Sequence, residues 1–123
     1  KYDLALINKN RIYETGTANL LFIKNNKIYS PKDNFYKGIT LRYISKQIKI
    51  IFKDILIKNL KDYDEIILVG SGKGIVSATE IEEIKWARKS TKYFKILKNL
   101  YKTAVTKCPP YYGWSINLTI LLI

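Results

Sequence analysis

The chain has 123 residues, 47% of them apolar, with two tryptophans and ten tyrosines, which is one domain's worth of sequence with enough apolar mass for a real core. A formal net charge of +12 invites a nucleic-acid or anionic-membrane reading, but the lysines are spread over the whole chain beside abundant Ile and Asn, which favours solvated surface charge. With no histidine, one cysteine (Cys108) and no apolar run of roughly eighteen residues, the sequence excludes His-dependent triads, the usual zinc sites, an internal disulfide framework and a membrane-spanning helix.

Taken in chain order, Leu4 to Ile7 is an apolar run that reaches Asn8-Lys9-Asn10, and Arg11 to Glu14 follows, so the first fourteen residues predict a hairpin. Asn19 to Lys24 and Lys27 to Ser30 flank Asn25-Asn26, a second hairpin signal, and Pro31 to Asn34 closes it as a loop. Four antiparallel strands result. From Thr40 to Ile57 the residues Leu41, Ile44, Ile48, Ile51, Phe52 and Ile55 recur at three- and four-residue intervals, which predicts a helix starting just after Gly38; Ile55 to Ile57 could equally begin a short strand. Leu60 to Asp64 reads as a turn or a single helical turn. Glu65 to Val69 and Ile75 to Ile81 are predicted strands separated by Gly70-Ser71-Gly72-Lys73-Gly74, and Ser90 to Tyr101 is a final helix with Tyr93, Phe94, Leu97 and Leu100 or Tyr101 on one face. Pro109-Pro110 ends any helix, and the apolar stretch Ile116 to Ile123 either packs against something or is an aggregation liability.

Three segments carry candidate chemistry. Glu14-Thr15-Gly16-Thr17-Ala18-Asn19 places a carboxylate, a glycine and an amide around a tight loop between two strands; alone, such a Glu is an ordinary surface residue. Gly38-Ile39-Thr40 opens a helix, where free N–H groups and the positive dipole end favour an anion; alone, it is a helix start with Gly for the turn and Thr as a cap. Gly70 to Gly74 suggests a nucleotide-binding loop, but the Walker pattern needs a Gly five residues before the Gly-Lys pair and a hydroxyl residue after the Lys, and those positions hold Ile67 and Gly74.

The spacing Glu-x-Gly-x-x-Asn, then strand, turn, strand and Gly-Ile-Thr at a helix start, resembles the class IV aminotransferase family of pyridoxal-phosphate enzymes, which includes branched-chain and D-amino-acid aminotransferases and aminodeoxychorismate lyase. The resemblance runs from about Tyr2 to Tyr101. It implies that Glu14 faces the pyridine nitrogen of pyridoxal 5'-phosphate and that Gly38, Ile39, Thr40, Ser71 and Gly72 hold the phosphate, with no metal. One departure is Leu41, which stands where a basic residue commonly follows the Thr, with Arg42 one place later. Ser71-Gly72-Lys73-Gly74 is more similar to the Ser-x-Arg-Gly of lyase-type members than to the Gly-Thr-Ala-Ala of branched-chain enzymes.

The resemblance further implies an α/β (α+β) fold: an antiparallel, barrel-like sheet with packed helices, the larger C-terminal domain of the family fold over residues 1–102, with 103–123 an unassigned apolar tail. The family's Schiff-base lysine would fall before residue 1, and Lys1 in place of an initiator Met fits a chain cropped at its start, so the expectation is a fragment inactive alone, with no catalytic residue of its own. The implied function is 4-amino-4-deoxychorismate lyase, giving 4-aminobenzoate and pyruvate for folate synthesis, in a cytoplasmic homodimer acting on a small-molecule substrate, without nucleic-acid or membrane partners. The alternatives are a branched-chain or D-amino-acid aminotransferase, a non-catalytic remnant used in assembly and, more distantly, a basic nucleic-acid-binding module, for which no helix-turn-helix, RNA-recognition or zinc pattern is present.

Overall fold

A computed structural model of the chain describes residues 2–32, 37–70, 72, 74–104 and 114–122. The first hairpin joins β1 (Tyr2–Asn8) to β2 (Arg11–Thr15), and the second joins β3 (Asn19–Lys24) to β4 (Lys27–Ser30). Each turn has two residues at positive φ: Lys9 (52°) and Asn10 (63°) in one, Asn25 (51°) and Asn26 (57°) in the other. That left-handed pair matches the twist of the flanking strands, and the short Asn amide tolerates it by bonding locally. There follow α1 (Ile39–Gln47), β5 (Ile50–Phe52), β6 (Glu65–Gly70), β7 (Gly74–Ile81), β8 (Trp86–Ala87), α2 (Lys92–Ala104) and β9 (Trp114–Leu122).

Among the described residues six strands close on themselves in the order β3, β6, β7, β9, β1, β2 and back to β3, giving the barrel-like sheet with packed helices that the sequence implies. Most pairings are antiparallel, but β9 runs parallel to both β1 and β7. The apolar tail therefore packs within the sheet, and its Leu118 is 1% exposed. β4 and β5 extend the sheet beyond β3, and β8 pairs with β7.

The near-continuous apolar runs of β3 and β6 make sense because both faces of these strands are covered. Leu20, Phe22, Ile66 and Leu68 point into the barrel with Ala5, Ile12, Val76 and Ala78. Their neighbours Leu21, Ile23, Ile67 and Val69 point outward, where Leu41 and Ile44 of α1 and Phe94, Leu97 and Tyr101 of α2 cover them. Trp86 and Tyr63 seal the barrel core, the indole N–H donating to the Tyr63 carbonyl at 3.0 Å. Burial pushes the Tyr63 phenol up to about 12, with Tyr29 and Asp62 adding to the effect. No described helix is long and apolar enough to cross a membrane.

The helix predicted over Thr40 to Ile57 is much shorter. Ile48 is already extended (φ −144°, ψ 146°), and Ile50, Ile51 and Phe52 pair in parallel with Ile28, Tyr29 and Ser30. The three-to-four spacing of apolar residues is real, but the stretch is dominated by β-branched isoleucine, and the open edge of β4 supplies strand partners that a solvated third and fourth helical turn would lack. Ile55 belongs to the barrel core instead of a helix stripe; in place of the short strand expected over Ile55 to Ile57 there is an isolated bridge from Leu56 to Arg11. A 3₁₀ turn follows over Ile57–Asp62.

The start of α2 is capped from a distance. Glu65, 1% exposed, accepts the N–H of Tyr93 on Oε2 at 2.9 Å and that of Phe94 on Oε1 at 3.0 Å. Burial raises the carboxyl above its ordinary value, against the lowering effect of the two N–H donors; Asp64 also raises it, and Arg88 lowers it. Because the folded-state value is the higher one, the titration-linked part of the Glu65 contribution is complete below the unfolded value and is lost as pH rises through the folded one. Glu65→Ala removes the acceptor from two N–H groups and is expected to cost about 1–3 kcal/mol in urea unfolding at neutral pH. The Glu65 side-chain resonance should titrate with a midpoint above 4.5; a midpoint at or below that value would contradict burial as the dominant influence.

Candidate functional site

The turn from β2 to β3 is organised by one hydroxyl. Thr15, 2% exposed, accepts the N–H of Ala18 at 2.9 Å and that of Thr17 at 3.2 Å on Oγ1, while its own N–H donates to the Ala18 carbonyl at 2.9 Å. The tip is tied down from β1, since the Thr17 hydroxyl donates to Asp3 Oδ2 at 3.1 Å. β2 and β3 meet through the pair Glu14 and Asn19. Glu14 is half-buried, and side chains alternate along a strand, so a buried Thr15 places Glu14 on the other face.

Two other chain segments come up against this turn, each ending in a glycine. Gly70 closes β6, and a Cβ there would stand 3.1 Å from the Thr17 carbonyl oxygen and 3.4 Å from the Ala18 Cβ. Gly38 is the N-cap of α1 in extended backbone; its N–H donates to Asn19 Oδ1 at 3.0 Å, and a Cβ on it would lie 3.2 Å from that same oxygen. The first bond of the helix runs from the Arg42 N–H to the Gly38 carbonyl at 3.1 Å, and no side chain caps the helix. The N–H groups of Ile39, Thr40 and Leu41 thus have no partner within the helix, and the positive end of its dipole stands there.

These segments enclose one cavity of about 310 Å³, lined by the turn from Glu14 to Asn19, by Gly38 and Ile39, and by Val69 and Gly70. Of the residues singled out in the sequence, Glu14, Gly16, Asn19, Gly38 and Ile39 come together on its wall. Thr40, 4% exposed, sits one residue into α1 and is not part of the lining. Its side chain does not cap the helix, contrary to the simple reading of a Gly-x-Thr helix start. Gly72 is exposed, with open space around its α-carbon, and lies outside the lining. Ser71 falls outside the described residues.

Thr15, Thr17, Val69 and Gly70 also line the cavity, although sequence reasoning gave none of them a role there. A hydroxyl residue directly before the turn glycine was the available signal for Thr15; for Asp3, fourteen residues from Thr17, there was none. The donor set suits a phosphorylated ring with a basic nitrogen. Helix N–H groups meet an anion, a carboxylate meets a protonated nitrogen, and two glycines lacking Cβ atoms keep the walls close; the volume is at the lower end for small-ligand sites.

Residues 1–81 match the family model of amino-transferase class IV. The chain belongs to the class IV aminotransferase family. Its fold is shared with a protein of Legionella pneumophila provisionally named 4-amino-4-deoxychorismate lyase, at 27% identity and a TM-score of 0.73 over 84% of this chain and 41% of that one. An aminotransferase from Brucella abortus, solved with the cofactor PLP bound, superimposes with a TM-score of 0.64 at 22% identity, covering 80% of this chain and 37% of the other. The branched-chain amino acid aminotransferase of Escherichia coli gives 0.66 at 19% identity, with 85% and 39% covered. The chain therefore spans about two-fifths of the length of these family structures. No curated protein sequence gives a match. The turn, the helix start and the end of β6 all lie within the matched residues.

Steric closeness around Gly70 is directly testable. Gly70→Ala is expected to cost about 1–3 kcal/mol and to shift the amide resonances of Thr17 and Ala18, because backbone has to move. Gly16→Ala, where an added Cβ meets nothing within 4 Å, should change stability by less than about 0.5 kcal/mol. Equal effects from the two would contradict the packing described.

Proposed function

We propose that this chain, with its tail strand β9 packed between β1 and β7 and not left outside a domain ending at residue 102, forms the larger, C-terminal domain of a pyridoxal-5'-phosphate enzyme, and that the cavity beside Glu14 is its half of the cofactor site. The observation that carries the reading is one cavity wall holding both a half-buried carboxylate and an uncapped helix N-terminus. When bound, pyridoxal phosphate supplies an electron-accepting ring for the bond broken at the substrate's α-carbon. Glu14 holds the proton on the pyridine nitrogen. The N–H groups of Ile39 and Thr40 receive the phosphate with the helix dipole behind them, and Gly38 lets the anion approach the backbone. The resemblance adds Ser71 and Gly72 to the phosphate contacts, which for Gly72, outside the cavity lining, requires the segment after Gly70 to approach the bound anion. The resemblance puts the family's Schiff-base lysine upstream of Glu14 and outside residues 1–123, so in this reading turnover needs more than this chain.

The reaction we favour is the lyase step that converts 4-amino-4-deoxychorismate to 4-aminobenzoate and pyruvate, in a cytoplasmic homodimer. Two observations support it: the Ser71-Gly72-Lys73-Gly74 arrangement, and the 27% identity to the Legionella pneumophila protein, the highest among the structures compared above. The second reading is a branched-chain aminotransferase, favoured by the shared fold of the Escherichia coli enzyme.

Glu14→Gln keeps the shape of the side chain and removes the charge that keeps the ring nitrogen protonated. In the enzyme that joins this chain to the Schiff-base lysine, single-turnover rates should fall about a hundredfold to ten-thousandfold, while cofactor affinity changes only a few-fold. A rate loss smaller than about tenfold would return Glu14 to the role of a surface turn carboxylate.

A further inference from the structure

We infer that Asn19 is the positioning residue of the cofactor site, the side chain that sets the distance between its carboxylate end and its anion end. The inference rests on the proposed cofactor reading and adds to it the device that holds the two ends in register. Asn19 is 5% exposed and sits opposite Glu14 in the β2–β3 pairing, so its backbone is fixed to the strand that carries the carboxylate. Its Oδ1 accepts the Gly38 N–H at 3.0 Å, across nineteen residues of sequence, and so reaches the residue that starts α1. A single side chain thus ties the strand bearing Glu14 to the helix bearing the free N–H groups.

Three further observations make the tether specific. The helix has no side-chain cap, so the bond to Asn19 anchors its first residue from outside the helix. Gly38 is fitted to the amide: among the described residues, a Cβ built there would stand closest to Asn19 Oδ1, at 3.2 Å. Finally, Asn19 also pairs with Val69 on β6, one residue before the Gly70 that packs under the turn, so all three walls of the cavity meet at this residue. An alanine at position 19 would leave the Gly38 N–H without its acceptor and free the helix start to drift from Glu14. Small displacements of this kind weaken a site whose donors must converge on one anion.

The test uses the chain itself, with inorganic phosphate as the probe. In the ligand-free protein a through-hydrogen-bond coupling should connect the Gly38 nitrogen to the Asn19 side-chain carbonyl carbon. Phosphate should then shift the amides of Ile39 and Thr40, and Asn19→Ala should weaken that binding roughly tenfold, the scale of losing one buried hydrogen bond. A purely structural role would lower the unfolding midpoint and leave the phosphate affinity of folded molecules unchanged, which would overturn the inference. Should Asn19→Ala fold poorly, Gly38→Ala in the otherwise unmodified chain decides, because its Cβ would stand 3.2 Å from Asn19 Oδ1 and push the amide away: the coupling should be lost and phosphate binding should weaken severalfold with it. Lost coupling with unchanged phosphate affinity would overturn the tether. If the unmodified chain shows the coupling but phosphate leaves Ile39 and Thr40 unmoved, the cofactor reading fails, and the positioning role falls with it.

Discussion

The closure of the barrel at Glu14 and Asn19 is the constraint on which the rest of the site depends. β3 has to pair with β6 along its length and, on its other edge, with β2 at its first residue and with β4 from Phe22 onward. β2 must therefore stop at Thr15, and the chain must turn within Gly16, Thr17 and Ala18. Thr15 answers that demand by using its hydroxyl as a local acceptor for two N–H groups that would otherwise be left open. A register slip of one residue would exchange the faces of Glu14 and Thr15, burying a carboxylate and exposing the hydroxyl that holds the turn.

The same strand pair anchors both helices, one from each end. Asn19 pairs with Val69 and Ile23 with Glu65, so the two ends of the β3–β6 ladder carry the two side chains that receive helix N-termini: Asn19 for Gly38 before α1, and Glu65 for the first turn of α2. The two ends differ chemically in a way that bears on function. A buried carboxylate fills the start of α2 and neutralises the positive dipole end there, leaving no room for an anion. The start of α1 is held by a neutral amide through the residue before the helix, so the helix start, with Gly38 and Ile39 on the cavity wall, keeps its partial positive charge.

The sequence made the local parts of this arrangement legible. Asparagine-rich two-residue turns, Lys9-Asn10 after Asn8 and Asn25-Asn26, marked both hairpins, and Gly38 marked the start of α1 within one residue, because backbone preference at such positions is a property of a few adjacent residues. The extent of α1 was misread for a physical reason: isoleucines at three- and four-residue spacing satisfy a helical stripe as well as a strand edge, and the partner that decides, β4, is supplied by tertiary structure. β9 had an apolar composition but no signal for where it would insert, since its parallel partners β1 and β7 are distant in the chain. The carboxylate and the helix start of the candidate site were visible as residue types. The bonds that unite them, Asn19 to Gly38, Asp3 to Thr17 and the packing of Gly70 on Thr17, join residues fourteen or more positions apart and leave no periodic trace.

The most direct measurement is a crystal structure of the enzyme carrying this chain with pyridoxamine 5'-phosphate, which has the cofactor's ring and phosphate but no aldehyde to react with surface lysines. The phosphate should lie against the N–H groups of Ile39 and Thr40, with the ring nitrogen within hydrogen-bond distance of the Glu14 carboxylate and Asn19 still bonded to Gly38. A ligand bound with its phosphate away from α1, or with its ring nitrogen turned from Glu14 toward solvent, would contradict the reading of this cavity as a cofactor half-site.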